Sequence, residues 1–140
     1  MNSPGRVDAH LHLSILQGII GRMAANSAAC KTWCVTLVSA ILILVVDRNK
    51  PALAFVAITP SAVLMLLDAY YLALERAFRD QYGAAVAALH GGEAVNGGFL
   101  MIGAVDVGVG KTLEALFSVS VLPVYAVLIG VAVAAGKLFF

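Results

Sequence analysis

Charged residues are scarce in this 140-residue chain. Only 12% of its residues are Asp, Glu, Lys or Arg, and 61% are apolar, whereas a typical soluble domain has about 25% charged and about 45–50% apolar residues. So short a chain has little interior in which to bury this apolar surface, and lipid is the natural solvent for it. The net charge of +1 offers no basic surface, so we expect no nucleic-acid partner.

Patterns of catalytic and metal-binding residues are also missing. No serine stands in a GxSxG elbow, and no histidine and carboxylate cluster has the spacing of metal ligands. His10 and His12 project to nearly opposite helix faces, and His90 is isolated. Cys30 and Cys34 lie four apart on one helix face, which suits neither a disulfide nor a zinc site. We therefore predict a protein that is not an enzyme and has no cofactor or metal.

The first thirty residues lack the uninterrupted apolar core of about 7–15 residues that a cleaved signal peptide needs. We expect residues 1–9 to be loose and residues 10–26 to form a helix continuous with the first span, because no breaker separates the two. Leu11, Ile15 and Ile19 recur every four residues. Gly18 and Gly21 would allow a neighbouring helix to approach closely.

Three apolar runs predict an all-α membrane protein with three transmembrane helices, at residues 27–46, 52–74 and 118–140. Twenty residues cover about 30 Å, the thickness of the hydrocarbon layer. The turn at residues 47–50 is so short that the second span must be antiparallel to the first. Pro60 predicts a kink in the second span, and Pro123 falls in the first turns of the third.

Residues 80–112 form a glycine-rich insert that we place in the cytoplasm. The segment from residue 82 to 90 is expected to be a short helix, and residues 99–109 could form a strand, a hairpin or a re-entrant loop. GVGKT at residues 108–112 resembles part of a phosphate-binding loop. We reject that interpretation, because GxxxxGK[ST] needs a glycine where Val105 stands.

Basic residues predict the orientation in the membrane. The N-terminus and the segment between the second and third spans share one side, which carries six of the nine Lys and Arg residues. Because basic residues favour the cytoplasmic side, we expect a multi-pass membrane protein with its N-terminus in the cytoplasm and its C-terminus outside.

Asp68 is the most informative polar residue, because it lies inside an apolar run. A carboxylate near the centre of a span costs about 2.5–3.5 kcal/mol on insertion scales, so it should face protein and have a partner. Arg22 and Lys31 are the nearest basic candidates by topology. Asp68 either fixes helix pairing or lines a pore. The residues predicted to pair helices or line a pore are Arg22, Asn26, Lys31, Asp68, Glu75 and Arg79, the last two as an i,i+4 pair.

Three motifs in order resemble a group of small bacterial multi-span inner-membrane proteins. They are QGIIGRMAANS at residues 17–27, LDAYYLALERAFR at residues 67–79 and LPVY at residues 122–125, which fit the patterns QxxIxRMAxNS, LDxYYLxxERxFR and LPxY. Some members of the group resemble membrane effectors of anti-phage defence systems. The glycine- and alanine-rich stretch at residues 83–110 departs from the group's pattern.

The resemblance implies an effector that oligomerises and impairs the inner membrane when triggered. An accessory or structural subunit of a larger membrane complex suits the small size and short loops as well. A small channel or transporter would need several copies, because three spans are too few for a pathway within one chain. We accordingly expect the bilayer, further copies of the chain and a protein encoded nearby as partners.

Overall fold

The computed structural model describes residues 4–90, 105 and 107–138, and in these residues all regular structure is helical. The predicted all-α class is therefore confirmed there. The elements are α1 (Pro4–Arg48), a 3-10 helix (Pro51–Ala57), α2 (Ile58–His90), α3 (Val109–Leu116) and α4 (Leu122–Leu138). The strand, hairpin or loop predicted at residues 99–109 lies mostly outside the described residues, although Val109 itself begins α3.

Helix α1 is a single run of 45 residues, about 67 Å long at 1.5 Å per residue. The predicted continuity of the N-terminal helix with the first apolar run is confirmed. The expectation that the chain is loose before residue 10 was wrong for residues 4–9. Pro4 begins the helix, because the amide hydrogen that proline lacks would be unpaired in a first turn anyway.

The turn after α1 is tighter than the four residues predicted, because Asp47 and Arg48 are still helical. Asn49 adopts a left-handed backbone with a φ of 49°, a conformation that asparagine tolerates better than most residues. Its amide donates to the carbonyl of Val46, and the amide of Lys50 donates to that of Val45, each at 3.3 Å. These two bonds form a Schellman cap that reverses the chain.

Helix α2 runs on through the segment predicted as a separate helix at residues 82–90. The kink predicted at Pro60 stays a prediction. Helix α2 begins at Ile58, so Pro60 occupies its first turn, where the missing donor costs little. The residues before it form the 3-10 helix.

Helix α4 is shorter than the predicted span at residues 118–140. It has 17 residues, and residues 117–121 form a turn between α3 and α4. The amides of Val121 and Leu122 donate to the Ser118 carbonyl at 3.1 and 3.0 Å. Pro123 lies in the first turn of α4, as predicted. Residues 139 and 140 of the predicted span lie outside the described part of the chain.

The two long helices form an antiparallel hairpin, and α4 packs against its closed half. Tyr125 near the start of α4 contacts Leu64, and Gly136 near its end contacts Ala54 and Phe55. Helix α4 therefore runs antiparallel to α2. The buried core between the helices consists mainly of small residues, so the helix axes come close. Its members are Cys34, Val38, Ala57, Ala69, Ala73, Ala115, Val121, Tyr125 and Ala132.

Most of the apolar surface faces outward. In the described residues, two helical stretches are long and apolar enough to cross a membrane, Ala9–Arg48 and Pro51–His90, and only 22% and 28% of their most apolar windows are buried inside the protein. Trp33, Ile43 and Val63 are among the side chains that are more than half exposed. Neither stretch is thus the enclosed core helix of this chain.

Gly136 gives a test of how α4 docks. A Cβ at this position would lie 3.1 Å from Cζ of Phe55. We expect Gly136→Leu to lower the free energy of unfolding by about 1–3 kcal/mol through overpacking, measured as a lower melting temperature in detergent. Gly130→Leu on the same helix is the control, because nothing lies within 4 Å of its position. Equal losses in both variants would contradict this docking of α4.

Candidate functional site

Asp68 lies between the two long helices and is fully buried, with 0% of its surface exposed. Two side chains of α1 converge on it from one turn apart. The Ser27 hydroxyl donates to Oδ1 of Asp68, and the Lys31 ammonium donates to the same oxygen at 2.9 Å. Lys31 also donates to the Ser27 hydroxyl at 3.0 Å. We call these three residues the Asp68 cluster.

The ammonium of Lys31 neutralises the buried carboxylate. Its Nζ lies 2.7 Å from Oδ2 of Asp68, although the approach to this oxygen does not have hydrogen-bond geometry. An isolated buried charge would be too costly, whereas a close pair with further hydrogen bonds is tolerated. The lysine side chain is 22% exposed, so its stem leads from the helix interface towards the surface.

Tyr125 brings α4 to the same region. Its ring is fully buried, and its hydroxyl donates to the backbone carbonyl of Leu64 at 3.3 Å, one turn before Asp68 on α2. The sequence marks Tyr125 only as the last residue of LPVY, and nothing in the sequence alone assigns it a place beside Asp68.

A second polar contact lies deeper between α1 and α2. The thiol of Cys34 lies 3.5 Å from the Ser61 hydroxyl and donates to it. Ser61 in turn donates to the carbonyl of Ala57 at 2.7 Å. Cys30 and Cys34 are both buried with free thiols, which fits their interpretation as small residues at a helix interface.

The other sequence candidates lie away from the Asp68 cluster. Arg22 and Asn26 are exposed on α1, so Arg22 is not the partner of Asp68. Glu75 and Arg79 form the expected i,i+4 pair on α2, with Nη2 and Oε1 2.7 Å apart. Of the six candidates, the structure brings together Lys31 and Asp68, and it adds Ser27 between them.

The Asp68 cluster contains a serine beside a lysine, but its geometry opposes nucleophilic catalysis. Ser27 is buried, and its proton points to Asp68 rather than to a free base. It also lies in the middle of α1, where the neighbouring amides are used by the helix and cannot form an oxyanion hole. The arrangement is that of a fixed ion pair that joins two helices.

His90, which stands alone in the sequence, lies near His10 in the structure. His10 and His90 line one cavity of 340 Å³ at the open end of the hairpin. The Nδ1 of His90 lies 2.8 Å from the Val86 carbonyl. His12 is buried. Among the described residues, no group of three or more His, Cys, Asp or Glu side chains could hold a metal ion.

Comparisons with known proteins give no relative: no family model, no curated protein and no solved structure matches the chain.

The Asp68 cluster can be tested by a double-mutant cycle. We expect Lys31→Met to cost about 3–5 kcal/mol, because it leaves the enclosed Asp68 carboxylate without its partner. Asp68→Leu should cost less, because the partly exposed Lys31 ammonium can then turn towards the surface. The double variant should lose much less than the sum, since no charge is then left behind. Reversible unfolding in mixed micelles measures all three.

The matched control for this cycle is Asp47→Ala with Arg48→Met. These residues also form an ion pair, at 3.4 Å, but both side chains are largely exposed, so we expect little coupling. Additive losses at Asp68 and Lys31 would contradict an ion pair that joins the helices.

Proposed function

We propose that this protein is an integral protein of the bacterial inner membrane that oligomerises and impairs the bilayer when it is triggered. Membrane insertion is supported by the two long helices, whose apolar side chains mostly face outward. In water so large an apolar surface would be unfavourable, whereas in lipid it needs no covering. The motifs at residues 17–27, 67–79 and 122–125 support membership in the group described above, some members of which resemble such effectors.

A third span by α4 is supported by its position beside the other two. Tyr125 and Gly136 lie at the levels of Leu64 and Ala54, so α4 lies beside the first part of the predicted second span. Its 17 residues extend about 25 Å, slightly less than the hydrocarbon layer. Lys137 near its end can extend its ammonium to the membrane surface.

The proposal that the protein oligomerises is supported by a strip of polar side chains on the outward side of α1. Thr32, Thr36 and Ser39 are exposed on the side of α1 away from the buried Cys34 and Val38, although all three lie within the predicted first span. Thr32 and Thr36 bond back to carbonyls one turn earlier, at 3.1 and 2.9 Å. Such side chains favour contact with other helices over contact with lipid, so we infer that α1 packs against other copies.

The contact of Asp68 with Lys31 of the same chain supports the first of its two predicted roles, the fixing of helix pairing. Its charge is already neutralised within one chain, so helix pairing fits it better than pore lining. Because Lys31 already neutralises Asp68, the carboxylate offers no ion site. An accessory subunit is therefore a better second candidate function than a channel. In that case a different membrane protein would cover the strip on α1.

Orientation and span number can be tested together with fusions. We expect alkaline phosphatase to be active when fused after residue 140 and inactive when fused after residue 90, because only the first fusion would reach the periplasm. Fluorescent protein fusions at the same sites should give the opposite pattern. An inactive phosphatase at both sites, with the protein still in the membrane fraction, would indicate two spans.

The proposed activity can be tested by membrane potential in cells with inducible expression and the trigger supplied by phage infection. We expect depolarisation by the wild type and loss of both depolarisation and cross-linked oligomers in Thr36→Leu, because a larger side chain separates the packed helices. Val63→Leu, a similar enlargement on the outward side of α2, is the control. Unchanged potential in infected wild-type cells, with a stable partner after detergent extraction, would favour the accessory subunit.

A further inference from the structure

Helix α3 presents an apolar face that the rest of the described chain does not cover. Val109, Leu113 and Phe117 follow one another at intervals of four and are 78%, 49% and 70% exposed. On the opposite side, Ala115 is fully buried against α2 and the start of α4. The helix is thus amphipathic, and its apolar side points away from the protein.

The flank of α3 carries charges that face charges of α2. Lys111 and Glu114 of α3, with Arg76 and Asp80 of α2, line a cavity of 160 Å³. Two cationic and two anionic side chains therefore border one space. Within the described part of the chain, none of the four takes part in an ion pair.

This cavity lies at the level expected for lipid headgroups. The predicted second span ends at residue 74, so Arg76 and Asp80 lie about 3–9 Å beyond it along α2. Headgroups occupy a layer of about 5–8 Å on each side of the hydrocarbon. The turn after α3 leads directly to Leu122, whose side chain is exposed at the start of α4.

We propose that α3 and the adjoining side of α2 bind a zwitterionic aminophospholipid, an inference that rests on the membrane insertion proposed above. The phosphate pairs with Arg76 and Lys111, and the ammonium pairs with Asp80 and Glu114. The acyl chains lie along the exposed apolar side of α3. A ligand with both charges fits a cavity with both charges, and a lipid also covers the apolar face, which a soluble anion would not.

The test compares the lipids that remain with the purified protein, measured by mass spectrometry after reconstitution in nanodiscs of equal phosphatidylethanolamine and phosphatidylglycerol. We expect phosphatidylethanolamine to be enriched on the wild type. Removing both cations in Arg76→Gln/Lys111→Gln should lower the amount of retained phosphatidylethanolamine about tenfold, or about 1.4 kcal/mol, because its phosphate loses both charge-assisted partners. Asp80→Asn/Glu114→Gln should instead shift the preference to phosphatidylglycerol.

Arg48→Gln/Lys50→Gln is the matched control, because it removes two exposed basic residues at the other end of the hairpin, and it should retain the wild-type preference. Phe117→Ser distinguishes binding of the whole lipid from binding of the headgroup alone. It should weaken retention of the lipid but leave competition by soluble phosphoethanolamine unchanged. Circular dichroism confirms that each variant remains helical.

Retained lipid with the composition of the nanodisc would overturn the headgroup site, and so would efficient cross-linking of Glu114→Cys between two copies, which would make the cavity a protein interface. Both results leave membrane insertion intact. Release of the protein from membranes by alkaline carbonate would instead overturn the proposed function together with this site.

Discussion

The ion pair between Lys31 and Asp68 constrains the rest of the structure. A carboxylate fully enclosed between two helices permits only those registers of the hairpin that bring a cation to it. Ser27 and Lys31 lie one turn apart on α1, so both can contact the carboxylate at once. A shift of one residue in the register of α1 against α2 would turn both side chains away from Asp68. The small residues around the cluster then allow the helices to approach closely, so polar pairing and close packing support the same arrangement.

Helix α4 depends on that arrangement. Tyr125 reaches the Leu64 carbonyl one turn from Asp68, while Gly136 leaves room for Phe55 at the other end. The contacts of α4 therefore lie at two levels of the hairpin. If the hairpin changed register, both contacts would be lost. Tyr125 needs Leu64 of α2 at its level, and Gly136 needs Phe55 of the 3-10 helix at its level.

Some polar side chains of the described residues pair with one another within the molecule, and others point outward. Asp68, Lys31 and Ser27 satisfy one another, and Glu75 pairs with Arg79. The hydroxyls of Thr32 and Thr36 on the outward side of α1 bond only to carbonyls of their own helix, and the charges beside α3 form no ion pair among the described residues. We propose that the outward groups of α1 face further helices and that the charges beside α3 face lipid headgroups.

The sequence by itself determined the helical class, the continuity of the N-terminal helix with the first apolar run, the hairpin and the need of Asp68 for a cation, because these follow from apolar periodicity, breakers and the cost of a buried charge. It did not determine where α4 begins or that Pro60 lies in a first turn, since local hydrogen bonds around Ser118 and Ile58 decide both. Only the tertiary structure selected Lys31 over Arg22 and placed Tyr125 beside Asp68. Those choices depend on helix rotation and register, which are fixed by packing between residues distant in the chain.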